Sequence, residues 1–227
     1  MGATLGAMSD DADTANLAPR RPLPAAGEGV GAGTPDDAAE TLDLTGQCLI
    51  AMPGMADDRF SKAVVFLTQH SAEGAMGIIV NRQVVQPTFG MVLDELDIPK
   101  AGHPDLHDTV PIFEGGPVEQ GRGFVVHSLD YKQPNTIEVG RRYGLTTTLE
   151  ILRNIAGGGP PGRFLLALGY AGWGAGQLER ELAENAWLTC GASDDVLFDV
   201  PADKRYTTAL ATLGVDPRLL SQTAGHA

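Results

Sequence analysis

The stretch that most constrains the fold is the apolar run Phe164-Leu165-Leu166-Ala167-Leu168, together with the glycine-rich segment after it. That segment is Gly169-Tyr170-Ala171-Gly172-Trp173-Gly174-Ala175-Gly176, and Gln177-Leu178-Glu179-Arg180-Glu181-Leu182 comes next. The apolar run predicts a buried strand. Leu178 and Leu182, with charges between them, predict an amphipathic helix from about Gly174 to Glu184. A glycine-rich turn is expected to join the two. Such a turn offers backbone N–H groups at a helix start, where an anion or polar ligand can sit. It equally serves close strand-to-helix packing with no ligand. On that reading Trp173 is a buried anchor and Gly172 resists any Cβ, through a clash or a positive φ.

Upstream, strands are expected at Gln47 to Met52, Ala63 to Thr68 and Ala75 to Asn81, with a hairpin loop over His70 to Gly74. Asp57 to Phe60 reads as a helical turn, and Thr88 to Leu96 as a short helix. Further strands are expected at Val110 to Phe113, Gly123 to Ser128 and Thr136 to Val139. A helix over Thr147 to Ala156 stops at Gly157-Gly158-Gly159-Pro160-Pro161-Gly162. Strands at Trp187 to Cys190 and Val196 to Phe198 and a helix from Pro201 to Leu213 complete the chain. Hairpins followed by helix–strand alternation predict an α+β fold on a mixed, strongly curved sheet.

Residues 1–41 are rich in Ala, Gly, Pro and Asp and hold almost no aromatic or β-branched residues, so they are expected to be a disordered acidic tail. A single domain is expected over 42–220, with a flexible C-terminus at 221–227. The net charge of −13 disfavours a polyanionic partner, because phosphate binding needs clustered Lys and Arg. No run of 18 apolar residues and no secretory signal pattern is present, so neither a membrane partner nor export is expected. Cys48 and Cys190 are too few for a disulfide framework, and both are expected to be buried and inert in a reduced, cytoplasmic setting.

Four motifs stand in order. They are Met52-Pro53-Gly54-Met55 with Asp58-Arg59-Phe60, then Gly74-Ala75-Met76-Gly77 leading to Asn81-Arg82. Gly115-Gly116-Pro117-Val118 is third, leading to Gly123-Phe124 and His127, and Gly-Tyr-Ala-Gly-Trp with Gln177-Leu178-Glu179 comes last. The ordered set resembles the YqgE/AlgH family of bacterial proteins, over roughly Leu42 to Leu220. Gln83 departs from the family, which usually has Pro there, and Tyr206 stands where Trp is common. The resemblance implies a small barrel-like sheet wrapped by helices. It implies no particular reaction. The family carries a transcriptional-regulator label, through a link to alginate control in one member. No helix-turn-helix or basic face is legible here, so any effect on transcription is expected to be indirect.

The remaining candidates each have two readings. Gly115-Gly116 and Gly74/Gly77 bring backbones close to a ligand, or they permit bulges and tight turns where sheets bend. His127 shares a strand face with Gly123 and Val125 and is a general base or a hydrogen-bonded structural histidine. Gln177, Glu181 and Glu184 share a helix face that binds a cation or a basic group or is simply solvated. His103 and His107 have zinc-helix spacing, but Pro104 breaks the helix, so no metal site is expected. Trp173 and Trp187 read as core anchors. The resulting expectation is a non-enzymatic binding or regulatory protein with no cofactor and an unidentified protein or small-molecule partner. Its site would lie near Asn81, Gly115, Gly116, His127, Trp173 and Gln177. The alternative is a hydrolase or transferase with His127 as base and a glycine-turn anion hole. Direct DNA binding is a third reading, which the charge opposes.

Overall fold

The computed structural model describes residues 43–100, 109–216, 218 and 220. The expected tail, the expected flexible C-terminus and the His103/His107 pair lie outside the described residues.

The chain opens with β1 (Gln47–Ala51), a 3-10 turn (Asp58–Phe60), and the hairpin of β2 (Val64–Ser71) with β3 (Gly74–Ile79). Then come β4 (Gln83–Val84), α1 (Phe89–Glu95), β5 (Ile112–Glu114) and the long β6 (Val118–Ser128). Next are β7 (Ile137–Val139), β8 (Tyr143–Thr146), α2 (Leu149–Ala156) and β9 (Phe164–Gly174). α3 (Gln177–Ala183), β10 (Trp187–Gly191), a π-helical turn (Asp195–Asp199) and α4 (Ala202–Thr212) close the described fold.

The ten strands make one mixed sheet in the order β10-β1-β2-β3-β9-β6-β8-β7, with β5 paired to β9 and β4 to β5. Among the described strand pairs only β5–β9 is parallel. The sheet curls until Gly46, just before β1, stands against Gly140, just after β7. The fold is the expected α+β, with a strongly curled half-barrel sheet. Alternation along the strands sorts side chains to two faces. Cys48, Ile50, Phe66, Ile78, Phe124 and Val126 point into an inner cluster that α4 covers with Ala209 and Leu210. On the outer face, Val125 and Leu166 pack with Leu93, Ile151 and Ile155 of α1 and α2. Leu49, Val65 and Ile79 pack there with Trp173, Leu178 and Trp187.

The glycine-rich segment differs from expectation. Gly169 to Gly174 is not a turn but the second half of β9; only Ala175 and Gly176 turn the chain, and α3 begins at Gln177. Glycine suits turns and tight strand contacts equally, and here the contacts win. Gly169, at φ +75°, inserts a bulge where β6 also slips register between Val118 and Gly123. The bulge flips the side-chain phase. Leu165 and Ala167 face the inner cluster, whereas Ala171 and Trp173 face the outer one. β9 thereby serves two half-sheets: its first half pairs with β5 and β6, its second with β3.

Smaller corrections have local causes. Val196 to Phe198 is not a strand: Val196 and Leu197 are buried on a π-helical turn whose last residue, Asp199, pairs with Arg163, as does Asp194 just before the turn. The hairpin loop is Ala72-Glu73 alone, because β2 and β3 pair out to Ser71 and Gly74. β4 and β8 are strands that the pattern does not suggest; β8 has no polar alternation because all its residues are buried.

Candidate functional site

At the branch point the glycine motifs meet. Gly115 N–H donates to Leu168 O and Gly115 O accepts from Ile79 N–H, each at 2.8 Å. A Cβ on Gly115 would stand 2.2 Å from Gly169 O, and one on Gly116, at φ +151°, 2.2 Å from the Tyr170 carbonyl carbon. A Cβ on Gly169 would in turn stand 2.5 Å from Gly116 O. Three glycines from two motifs therefore let β3, β5 and β9 converge. The Gly115 N–H that an anion hole would need is already spent on β9. Gly74 plays the same part at the far end of β3, where a Cβ would meet Trp173 O at 2.3 Å.

Of the other expected site residues, Asn81 and His127 each lie apart from this junction, whereas Trp173 and Gln177 come together on Glu181. Asn81 accepts from Val64 N–H and donates to Lys62 O, both at 2.8 Å, bracing the start of β2. His127 has no exposed surface; its Nδ1 lies 2.8 Å from Ser128 O and its Nε2 2.9 Å from Thr146 Oγ1. Burial holds the imidazole below its ordinary pKa, against the Ser128 carbonyl and Asp130, which favour the charged form. Both ring nitrogens are thus engaged, and the ring packs on the outer face with no exposed surface.

Trp173 is buried at 6% exposure, as an anchor should be. Its indole N–H donates to Glu181 Oε2 at 2.9 Å, and Trp187 donates to the same oxygen at 2.7 Å. Gln177 Nε2 donates to Glu181 Oε1 at 2.9 Å while Gln177 Oε1 accepts from Gly174 N–H at 3.1 Å. Phe60 completes an aromatic group, 6.2 Å from Trp173 and 5.6 Å from Trp187 between ring centres. The α3 face carrying Gln177 and Glu181 is thus a docking clamp, not a solvated surface; of the three residues on that face only Glu184 is exposed. Gly172 needs no special backbone. A Cβ there would touch the Tyr170 ring at 3.3 Å, and its φ is not positive, so the expected resistance belongs to Gly115, Gly116 and Gly169 instead.

Clefts open at three places among the described residues. One of about 200 Å³ lies between the β2–β3 hairpin, β6 and β9. Met76, Phe124, Tyr170 and Trp173 form its apolar lining, and Gln69, Ser71, Glu73 and Arg122 its polar part. Arg122 Nη1 pairs with Glu119 Oε2 at 3.0 Å and the guanidinium lies 5.1 Å from the centre of the Phe124 ring. Its Nε is buried and meets no acceptor. Burial, with the Glu119 charge, raises the Tyr170 phenol above its usual pKa while Arg122 opposes the shift. Arg122 is not among the residues that the sequence motifs single out. The available signal is its i, i+2 spacing to Phe124 and Val126, which puts a charge on the inner, apolar face of β6.

The other two clefts, about 570 and 490 Å³, share Asn81, Ala202 and Asp203 at the start of α4. Arg205 backs the larger one at 5% exposure. It donates to Val80 O at 2.6 Å, Val200 O at 2.9 Å and Phe198 O at 3.4 Å and lies over the Phe113 ring. Burial pulls its pKa down to about 10, with Asp199 opposing. Carbonyls satisfy it, so it ties α4 to the end of β3. Among the described residues no three potential metal-ligating side chains converge.

A family model described as AlgH-like matches residues 48–218, which takes in nearly all of this architecture. The chain belongs to the AlgH-like family. It is 50% identical to a UPF0301 protein of Rhodospirillum rubrum over 184 residues, 81% of this chain and 94% of that relative. A UPF0301 protein of Jannaschia is 49% identical over 189 residues, 82% of this chain and 97% of the relative. The solution structure of the AlgH protein from Pseudomonas aeruginosa superposes with a TM-score of 0.67 at 42% identity, covering 85% of this chain and all of that one. A Corynebacterium diphtheriae protein shares the fold at a TM-score of 0.61 and 19% identity, over 78% and 91% of the two chains. Within this AlgH-like chain the two departures from the family pattern are accommodated. Gln83 enters the β4–β5 pair opposite Phe113, and the Tyr206 hydroxyl donates to Ala51 O at 2.8 Å.

Proposed function

We propose that this AlgH-like chain is a non-enzymatic binding protein that recognises a partner protein through the cleft between the β2–β3 hairpin, β6 and β9. The observation that carries the reading is the buried Arg122 Nε, a donor with no acceptor beside an apolar lining. A buried donor left unpaired costs about 1–3 kcal/mol, so the Arg122 side chain gains by turning toward a carbonyl or carboxylate that a partner brings to the cleft. The cleft, at about 200 Å³, is smaller than the usual small-molecule site and suits one inserted side chain. Catalysis by His127 lacks support, because its nitrogens are engaged and its ring is enclosed. An influence on transcription would pass through the partner, since a chain of net charge −13 gains little from DNA counterion release. A cytoplasmic setting goes with this reading and is supported by two free thiols. Among the described residues no helix is long and apolar enough to cross a membrane.

The test is selection of displayed random peptides on the full chain, followed by titration of the enriched peptides against Arg122→Leu and Tyr170→Ala. Enrichment of peptides pairing an apolar side chain with a carboxylate, with binding at least roughly tenfold weaker to both variants, is expected. Failure to enrich, or peptides that bind the variants equally well, refutes it.

A further inference from the structure

Cys48 of β1 and Cys190 of β10 stand opposite each other in the antiparallel ladder. Both are free, with 0% and 4% exposure, and both side chains enter the inner cluster. The pairing geometry is set by the ladder. Met52 N–H donates to Ala186 O at 2.9 Å, four steps further along the same register. Alternate pairs in an antiparallel ladder are hydrogen-bonded, so an even number of steps makes Cys48–Cys190 a hydrogen-bonded pair too. Such pairs hold their Cα atoms about 5.5 Å apart with both side chains on one face. Disulfide-bonded cysteines have Cα atoms about 4.4–6.8 Å apart and Cβ atoms about 3.5–4.5 Å apart, so the two Cβ atoms, about 5.5 Å apart in a hydrogen-bonded pair, close by about 1 Å as the bond forms.

The two sulfurs are not equivalent. The Cys48 thiol, ahead of the Thr212 hydroxyl, lowers the Cys190 pKa to about 7 in spite of burial. The neighbouring Cys190 and burial push Cys48 well above the usual thiol value. Both shifts run in the direction that makes Cys190 the attacking thiolate and Cys48 the thiol that keeps its proton longer. Position gives the same order. β10 is the outermost strand, paired only to β1 among the described residues, whereas Cys48 lies between β10 and β2. Loosening this one edge strand uncovers Cys190 while β1 stays paired to β2 around Cys48.

We propose that Cys48 and Cys190 form a redox-active dithiol, which a small-molecule disulfide converts to a cross-strand disulfide joining β1 to β10. Cys190 thiolate attacks the small disulfide, forming a mixed disulfide and expelling one small thiolate. Cys48 then loses its proton and attacks the Cys190 sulfur, expelling the second. Two protein thiols are oxidised and one small disulfide is reduced to two small thiols, so electrons and protons balance. Both cysteines, expected to be inert, thereby acquire a role that leaves the partner cleft untouched.

The experiment incubates the full chain, under native conditions, in mixtures of oxidised and reduced glutathione. Samples are acid-quenched, alkylated after unfolding, and read by intact mass. Wild type is expected to lose two alkylation sites and the mass of two hydrogens while showing no crosslink between chains on a non-reducing gel, and dithiothreitol is expected to restore both. Cys48→Ala is expected to stop at a glutathione adduct on Cys190, and Cys190→Ala to take up far less. Two free thiols in oxidised glutathione, crosslinking between chains only, or a wild-type product that stops at the adduct would overturn the proposal. Circular dichroism of each variant confirms that the comparison is made on folded chains.

Discussion

Gly116→Ala is the sharpest test of the strand junction. The added Cβ would stand 2.2 Å from the Tyr170 carbonyl carbon and 2.4 Å from Ala171 N. Carbon atoms settle at about 3.5 Å, so β9 must retreat by roughly 1.3 Å or the Gly116 segment must swing away. Neither movement is soft, because the neighbours are backbone and β9 is bonded on both edges around this point. Swinging the segment away endangers the Gly115 N–H to Leu168 O and Ile79 N–H to Gly115 O bonds, each worth about 1 kcal/mol. A side chain at φ +151° adds strain of about 1–2 kcal/mol. Together these give a loss of about 3–4 kcal/mol, a large share of the roughly 5–15 kcal/mol that holds a domain together. Urea unfolding monitored by tryptophan emission reads it, since Trp173 and Trp187 both lie in the outer cluster. Gly121→Ala is the control: nothing lies within 4 Å of its Cβ position, and a change within about 0.5 kcal/mol is expected. A Gly116→Ala midpoint indistinguishable from that control would refute the close-approach argument.

Three further outcomes are expected. Glu181→Gln brings an amide donor to oxygens that already accept three N–H groups, so about 1–3 kcal/mol should be lost in urea melts, while Glu184→Gln on the exposed side of α3 should be neutral. Trp173→Ala should cost about 3–5 kcal/mol by the same measurement, and an unchanged midpoint would make this segment a ligand-site candidate again. His127 has a folded pKa below its unfolded value of about 6.5, so its contribution to stability is complete above that pH and fades as pH falls through the folded value. His127→Asn should accordingly show a shallower loss of stability between about pH 7 and 5 than wild type, whatever its absolute stability, and an equal slope would rule out this linkage.

The α+β class and most strands are legible in the sequence because apolar alternation survives wherever a strand has two unlike faces. β8 is illegible for the opposite reason: Tyr143, Gly144, Leu145 and Thr146 are all buried. The glycine-rich segment stands out in the sequence, yet its conformation does not. A glycine in a turn and a glycine under a crossing strand look alike until the crossing strand is known, and Gly115-Gly116 lie far away in the chain. The same distance hides the clamp on α3, because Trp173 and Trp187 meet Glu181 only after β9 and β10 have paired into the sheet. Arg122 is legible in principle from its parity with Phe124. His127 reveals its type and its strand, but not the Ser128 and Thr146 partners that occupy it.

The sharing of β9 between two half-sheets also fixes when this protein becomes foldable during synthesis. β1 to β3 and β6 to β8 leave the ribosome first, yet each half lacks the strand that gives it an inner edge until residues 164–174 emerge. β1 then waits longer still for β10. Such long-range pairing slows folding and leaves hydrophobic edges open to wrong partners. Nascent chains stalled between α2 and β9 should therefore remain protease-sensitive and chaperone-bound, and protection should arrive abruptly once β9 and β10 are outside the tunnel.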